Sequence, residues 1–289
     1  MISNSHRSKR HSTAGIFIFL TMTLLLAAGQ ANANDPDDRW GTLKPGYFDD
    51  RMIVESDSII SMEAPKRALD AAIVPIVIKA EDTALAIKQI HLIVDKNPLP
   101  LAGIFKFSDK RSEWKSFETR IRINEYTDVR AIAELDDGSL HMTSRFVKAA
   151  GGCSAPAMGD LETALARAGT MRIILDEINL DDSTASAETL PSSKIANLEA
   201  IIKISHPNNS GMQFDQISRN YIPAFYIHSI VAELNGEELL DIETNFSMSE
   251  NPVIRFQFAN ASDNANFTVR AVDSKNNNYQ QQLGMESQN

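Results

Sequence analysis

The chain of 289 residues contains a single cysteine, Cys153, and its thiol has the most versatile chemistry in the sequence. A thiol can attack an electrophile, form a mixed disulfide or hold a covalently bound group. Cys153 follows Gly151 and Gly152 and precedes Ser154 and Ala155. Glycine residues allow a wide range of φ and ψ, and small neighbours leave a sulfur uncovered. The sequence therefore predicts an exposed thiol on a flexible loop, with Gly151 and Gly152 supplying the flexibility.

The first 33 residues have the pattern of a cleavable secretory signal peptide. Three basic residues between positions 7 and 10 precede an apolar run at 14–28, and the small residues 31–33 follow. The run is shorter than the roughly 20 residues that cross a bilayer, so a retained membrane anchor is disfavoured. We expect the mature protein to be soluble and located in the periplasm.

In an oxidising compartment a lone cysteine can be a buried apolar residue, an intermolecular disulfide or a working thiol. Burial is the usual state of a free cysteine. The glycines before Cys153 and the Ser-Ala-Pro after it are typical of a loop instead of a core strand. A working thiol is therefore favoured, and a disulfide-linked dimer through Cys153 remains an alternative.

The charge and the motif content exclude several function classes. The net charge is −10, and loss of the signal peptide makes it more negative because that segment has no acidic residue. An acidic surface argues against binding to nucleic acid and anionic membranes. The histidines show no metal-ligand spacing, and phosphate-binding loops and hydrolase nucleophile motifs are absent. The sequence predicts no metal and no cofactor beyond an intermediate bound covalently to Cys153.

Alternating apolar residues and turn signals predict an all-β chain with two immunoglobulin-like antiparallel β-sandwich domains. Asp136-Asp137-Gly138 and Asn235-Gly236 each predict a hairpin. The predicted strands of the first region are 72–80, 87–94, 101–107, 117–123, 129–135 and 140–148, and those of the second are 199–204, 226–234, 238–244, 256–258 and 267–272.

The sandwiches are expected to be joined by the cysteine loop, a short helix and a linker. The expected segments are a signal peptide at 1–33, an N-terminal extension at 34–47, a first sandwich with its Gly-Gly-Cys loop at 48–159, the helix and linker at 160–197, and a second sandwich at 198–289. The helix, capped by Asp160, has an apolar face that should pack on a sandwich. Binding of a partner by this face is the alternative.

Motifs from both regions resemble a pair of known families. Gly151-Gly152-Cys153 at the end of the first region resembles SoxY of the periplasmic thiosulfate-oxidation carrier. The second region resembles SoxZ in His206-Pro207, Gly211, Ile222-Pro223-Ala224, Asn235-Gly236, Ser249-Glu250-Asn251-Pro252, Phe256 and Phe258. The order of the motifs in one chain is similar to that of SoxYZ-like carriers associated with quinoprotein dehydrogenases.

The resemblance implies that Cys153 is the covalent attachment site of a sulfur intermediate and that the SoxY-like domain packs on the SoxZ-like domain. It also implies that the partners are periplasmic oxidoreductases, either a quinoprotein dehydrogenase with a c-type cytochrome system or Sox-like enzymes. The SoxY arm typically ends its chain as Gly-Gly-Cys-Gly-Gly, whereas Ser154 and more than a hundred residues follow here. The loop is thus tethered at both ends, and its cargo stays unassigned.

Catalysis by this chain itself is disfavoured because a thiolate enzyme needs a neighbouring base or cation, and the motif has none. Lys148 is the nearest basic residue in sequence. The alternatives are a thiol-dependent sulfurtransferase-type enzyme and a non-catalytic β-sandwich interaction module. His206 is either a neighbour of the thiol or part of a turn, and the turn is favoured. Ser249 to Pro252 and His206-Pro207 are assigned to fold and domain contact.

Overall fold

The computed structural model describes, besides Met1, residues 38–81, 86–108, 115–156, 159–178, 196–260 and 265–285. Apart from Met1, the predicted signal peptide lies outside these residues, as does the part of the predicted helix and linker segment at 179–195. Within the described ranges, no helix is both long enough and apolar enough to cross a membrane.

The described residues form two helices and seventeen strands. The helices are α1 (Arg39–Phe48) and α2 (Leu161–Ala166). The first nine strands are β1 (Ile53–Glu55), β2 (Ile60–Glu63), β3 (Val74–Ala80), β4 (Ile87–Val94), β5 (Leu101–Phe107), β6 (Ser116–Ile121), β7 (Thr127–Leu135), β8 (Leu140–Val147) and β9 (Met171–Ile178). The remaining strands are β10 (Ala196–Ile204), β11 (Phe214–Asp215), β12 (Asn220–Tyr221), β13 (Ile227–Leu234), β14 (Glu237–Thr244), β15 (Val253–Asn260), β16 (Ala265–Asp273) and β17 (Asn278–Met285).

The strands build two large sheets that enclose one hydrophobic core. The nine-stranded sheet has the order β1-β8-β7-β4-β5-β14-β13-β16-β17, and the six-stranded sheet has the order β2-β3-β6-β15-β10-β9. Pairing is antiparallel throughout these sheets except between β1 and β8. The all-β class with antiparallel sandwich architecture is confirmed.

Each sheet runs through both halves of the chain, here called the first half (38–156) and the second half (159–285). In the larger sheet β5 pairs with β14, with Gly103 opposite Thr244. In the smaller sheet β6 pairs with β15, with Phe117 opposite Phe256. The buried apolar residues of both halves form a single cluster. The halves are therefore joined edge to edge in both layers, a closer union than two sandwiches connected by a linker.

The two hairpin turns form at the residues that the sequence predicts. Gly138 has a φ of 81° in the turn between β7 and β8. Asn235 and Gly236 have φ of 52° and 81° between β13 and β14. Asparagine and glycine tolerate this left-handed region, which tight hairpin turns require.

Two short segments differ from the expectation. The N-terminal extension forms α1, whose Phe48 is buried in a satellite cluster with Ile93 and Leu140. The aromatic residues of this segment pack against the sheet and stabilise the helix. The polar composition of the segment did not predict it. The expected packing of α2 is wrong, because this helix buries no residue and Leu165 is 43% exposed. Six residues offer too few apolar side chains to cover a sheet.

Candidate functional site

Cys153 lies in a tight turn directly after β8, at the junction of the two halves. Its side chain is fully buried, with a relative exposure of 0%. The Ser154 backbone N–H donates to the Gly151 carbonyl at 3.2 Å and closes the turn. The expectation of an exposed thiol is therefore wrong for this conformation, because the turn is docked into the protein.

The glycines allow the turn to approach the neighbouring backbone closely. A Cβ at Gly152 would lie 2.0 Å from the carbonyl oxygen of Ala71 and 2.7 Å from that of Ile123. The Gly152 N–H donates to Ile123 O at 2.9 Å, and Gly151 adopts a φ of 80°. Glycine is thus required here for close packing. The flexibility predicted for Gly151 and Gly152 remains a prediction.

A strap at 66–72, between β2 and β3, holds the turn from the side of the first half. The Lys148 N–H donates to Lys66 O at 3.0 Å, just before the turn begins. At its other end the strap accepts a hydrogen bond from the Ile123 N–H to Ala71 O at 2.8 Å. The same Ala71 carbonyl lies against Gly152. The backbone that leads into the cysteine is therefore held by this segment.

The second half closes the turn from the opposite side. The Ser210 hydroxyl donates to the Cys153 carbonyl. The Ser210 N–H donates in turn to Gln213 Oε1 at 2.8 Å, and both residues are buried. Ser210 and Gln213 lie on either side of the motif residue Gly211, so the segment after His206-Pro207 contributes directly to the site.

Arg122 joins the two halves beneath the turn and is 1% exposed. Its Nη1 donates to Gly152 O and its Nη2 to Asn208 O, each at 3.3 Å. Its Nε has no hydrogen-bond partner among the described residues. Arg122 was not predicted as a site residue, because it lies in the predicted strand 117–123, where charged residues alternate with apolar ones and are expected to face outward. In the structure β6 ends at Ile121, and Ile121, Arg122 and Ile123 are buried in succession instead of alternating.

Asn208 is the strut that supports Arg122. Its side-chain Nδ2 donates to Ser249 O at 3.1 Å, and its Oδ1 accepts from the Ile227 N–H at 3.0 Å. Asn208 has a φ of 44°, which an asparagine tolerates better than most residues. The strut therefore connects the cysteine site to the SoxZ-like motif at Ser249.

His206 supports this strut and makes no described hydrogen bond to the thiol. Its Nδ1 lies 2.9 Å from Asn208 Oδ1, and its Nε2 lies 3.8 Å from Asp273 Oδ2. Burial lowers the pKa of His206 to about 4 and outweighs the attraction of Asp273. The histidine is thus neutral at neutral pH. The Asn251 side chain accepts from the His206 N–H at 3.1 Å, so the two turn motifs contact each other.

The surroundings of Cys153 keep its thiol protonated. Burial raises the pKa of Cys153 to about 11, against the opposing effect of the Arg122 charge. A neutral thiol is a poor nucleophile, and no solvent reaches this one. The sulfur is therefore unreactive while the turn is docked, and the turn must undock before the sulfur can react.

A cationic groove of about 800 Å³ lies beside the strap. Its lining residues are Met62, Glu63, Ala64, Lys66, Arg67, Arg145, Phe146 and Lys148. Arg145 is paired with Asp57 at 2.8 Å, whereas Lys66, Arg67 and Lys148 have no ion-pair partner in the described part of the chain. The groove is therefore a positively charged site on an acidic protein, next to the strand that leads into the turn.

No group of three or more His, Cys, Asp or Glu side chains suited to a metal ion occurs within the described ranges. His91 packs edge-on against Phe48 with 5.1 Å between ring centroids, and it lies 3.9 Å from Glu134. This histidine and His206 both have structural partners. The chemistry of the site consequently centres on the sulfur.

Comparisons with known proteins match each half separately. The family profile described as sulfur oxidation protein SoxY matches residues 45–153, so its match ends on the cysteine itself. The profile described as sulphur oxidation protein SoxZ matches residues 192–283. No curated protein matches the chain.

Three solved structures illustrate the similarity. The sulfur carrier protein SoxY from Chlorobium limicola f thiosulfatophilum is 20% identical, with a TM-score of 0.33, over 38% of this chain and 90% of that one. Two structures of superoxide reductase (neelaredoxin) from Ignicoccus hospitalis, one of them a point variant, are each 14% identical with a TM-score of 0.29, over 34% of this chain and 94% of theirs. The two profile matches, which meet the motifs of both halves in chain order, place this chain in the SoxY and SoxZ families of sulfur-oxidation proteins, with a SoxY domain fused to a SoxZ domain.

Proposed function

We propose that this chain is a periplasmic carrier protein that holds a sulfur-containing or other thiol-bound intermediate on Cys153 and presents it to partner enzymes. The observation that carries the proposal is the position of Cys153 at the end of the SoxY match, in a turn closed by Ser210 of the SoxZ domain. A carrier needs one sulfur that is protected at rest and released for loading. The docked turn supplies the protected state.

Release would require a small set of contacts to break. These are the bonds of Gly151 and Gly152 to the 123–124 backbone and the bonds of Arg122 and Ser210 to the turn. An extended chain spans about 3.4 Å per residue, so Cys153 could reach roughly 20 Å beyond the end of β8. This distance would suffice for a surface cleft of a partner.

Catalysis is assigned to the partners. Among the described residues no base makes a hydrogen bond to the docked thiol: His206 is a weak base, because burial lowers its pKa to about 4, and it is engaged with Asn208. We assign loading and unloading to periplasmic oxidoreductases, either Sox-like enzymes or a quinoprotein dehydrogenase with a c-type cytochrome system; the SoxY and SoxZ matches support the Sox-like enzymes. The cationic groove, which includes Lys148 just before the turn, is a suitable contact for an acidic partner surface.

The test is the intact mass of the protein isolated from its native periplasm, before and after reduction, with mapping of the peptide that contains Cys153. A reducible adduct on Cys153 would support the carrier and would identify the class of its cargo. A uniformly free thiol, together with normal pathway activity of Cys153→Ser, would refute the carrier and leave an interaction module. A thiol-dependent sulfurtransferase-type enzyme would instead convert its substrate without partner proteins. Activity assays of the purified chain therefore distinguish this alternative.

A further inference from the structure

The outer edge of β8 is covered by other backbone at its two ends and is open between them. Near its start β1 pairs with it, and the Ser56 N–H donates to Met142 O at 2.9 Å. Just beyond its end, Arg67 of the strap forms a parallel bridge to Lys148. Between these two contacts the chain leaves the edge and forms β2 in the other sheet. The edge of β8 at 143–147 therefore has no neighbouring strand among the described residues.

The alternation of a strand identifies the backbone groups that face this open edge. Successive residues direct their N–H and C=O groups to opposite sides of a strand. Met142 and Lys148 direct theirs away from β7, to the contacts just described. Ser144 and Phe146 have the same parity and face the same side. The Ser144 carbonyl accepts from the Arg145 side chain at 2.7 Å. In the described part of the chain, the Ser144 N–H and both backbone groups of Phe146 have no backbone partner.

The cationic groove lies along this open edge. Its lining includes Arg145, Phe146 and Lys148 on one side and residues 62–64 of β2 and its end on the other. Because β2 is the outermost strand of the smaller sheet, the groove lies between one edge of each sheet. The Phe146 side chain is 50% exposed and offers an apolar surface. The volume of about 800 Å³ leaves room for a short extended segment beside β8.

The charges of the groove determine which side chains it would accept. Lys66, Arg67 and Lys148 are exposed, and none of them has an ion-pair partner within the described ranges. Glu63, which also lines the groove, is paired with Lys79. The whole chain has a net charge of −10, so this local excess of positive charge stands out against its surroundings. Complementary charge steers association and selects partners, and this groove therefore favours carboxylates.

We propose that the open edge of β8 binds an extended acidic segment of a partner protein, which adds to the sheet as a short strand between β1 and the strap. Backbone hydrogen bonds to Ser144 and Phe146 would hold the segment, as in other complexes formed by strand addition. The three unpaired cations would select its carboxylates. Pairing of two copies of this chain through the same edge is disfavoured, because it would bring two cationic grooves together. The inference rests on the proposed function for the existence of a partner, and it adds the form of the contact.

The test measures binding of two synthetic pentapeptides to the purified chain. The acidic probe is Val-Glu-Val-Glu-Val with an amino-terminal fluorescein and a carboxyl-terminal amide, and its neutral counterpart is Val-Gln-Val-Gln-Val with the same end groups. Fluorescence anisotropy gives the Kd of each. We expect the acidic peptide to bind at least about tenfold more tightly, with a preference that declines as salt is added. Equal Kd values, or no binding of the acidic peptide at about 1 mM, would overturn the proposal.

Charge reversal within the groove locates the binding site. The double variant Lys66→Glu with Arg67→Glu should lose the preference for the acidic peptide. Both side chains are exposed, and the strap holds the turn through backbone groups, so the fold should persist. Lys203→Glu is the matched control, because Lys203 is an exposed cation on β10, and it should keep the preference. An unchanged preference in the double variant would place the peptide elsewhere and refute the groove as its site.

Methylation of single backbone nitrogens of the acidic peptide tests strand addition itself. Successive N–H groups of an added strand point alternately toward β8 and away from it. Methylation at one parity should therefore weaken binding about tenfold, and methylation at the other parity by less than about threefold. Equal effects at every position would contradict strand addition. Hydrogen exchange of the Ser144 and Phe146 amides should also become slower when the acidic peptide is bound, and unchanged exchange would exclude this edge.

Sedimentation of the chain without peptide tests a second copy as the occupant. A dimer that dissociates in the Lys66→Glu and Arg67→Glu double variant would overturn the assignment to a partner protein. None of these measurements involves a reaction of Cys153. Failure of peptide binding would leave the carrier proposal intact, and a native protein that carries nothing on Cys153 would leave the binding results valid.

Discussion

Replacing Gly152 with alanine tests whether docking of the turn controls the reactivity of Cys153. The new Cβ would lie 2.0 Å from Ala71 O and 2.5 Å from its carbonyl carbon, distances that real Cβ atoms do not show. Both obstructing atoms belong to the backbone, so the turn must move out. The movement breaks the hydrogen bonds of Gly152 to Ile123 and to Arg122.

The expected change in the alkylation rate follows from the docking equilibrium of the turn and from the pKa of the thiol. Each lost hydrogen bond costs about 1 kcal/mol, so two or three of them shift the docked equilibrium by roughly a hundredfold. Removal from the cleft lowers the pKa of Cys153 from about 11 toward its ordinary value of 9.0. At neutral pH this change increases the thiolate fraction about 100-fold. Alkylation of Cys153 by iodoacetamide should accelerate by about two orders of magnitude.

The assay follows the intact mass of Gly152→Ala and wild type during alkylation at neutral pH. Gly159→Ala is the matched control, because no atom lies within 4 Å of a Cβ at that position. Circular dichroism verifies that the sheets persist. A folded Gly152→Ala protein whose thiol reacts as slowly as that of the wild type would refute the reasoning that docking protects the sulfur.

Three further predictions concern the same junction. Ser210→Ala removes the hydroxyl that donates to the Cys153 carbonyl. We expect the free energy of unfolding in urea to fall by about 1–3 kcal/mol and the alkylation of Cys153 to become faster. An unchanged urea midpoint would contradict the contact. The pKa of His206 is 6.5 in the unfolded chain and about 4 in the folded protein, so between these pH values the unfolded state binds the extra proton. We therefore expect the free energy of unfolding to drop by about 3 kcal/mol as the pH falls from 6.5 to 4. The His206→Gln variant should flatten this part of the profile of Tm against pH. Separating the chain into fragments 38–156 and 159–289 breaks the β5–β14 and β6–β15 strand pairs. Each fragment should aggregate when it is expressed alone, and the two should co-purify when they are expressed together. Two fragments that are each monodisperse alone would contradict this prediction.

The strands and hairpins were predictable because their signals are local. Apolar runs at 87–94 and 101–107 coincide with β4 and β5, and Asn235-Gly236 forms the turn before β14. Side-chain alternation and left-handed turn residues report backbone geometry within a few positions. The helix α1 was missed since its stability comes from Phe48 packing against a sheet distant in sequence.

The sequence by itself determined the all-β class, the two-part organisation, the motifs of both families and the singular position of Cys153. Only the tertiary structure decided that the sulfur is buried, that both sheets cross the junction, and that Arg122 lies beneath the turn. Glycine next to a cysteine is equally compatible with mobility and with close packing. The choice depends on Ala71 and Ile123, whose carbonyls meet Gly152 through contacts that no local pattern encodes.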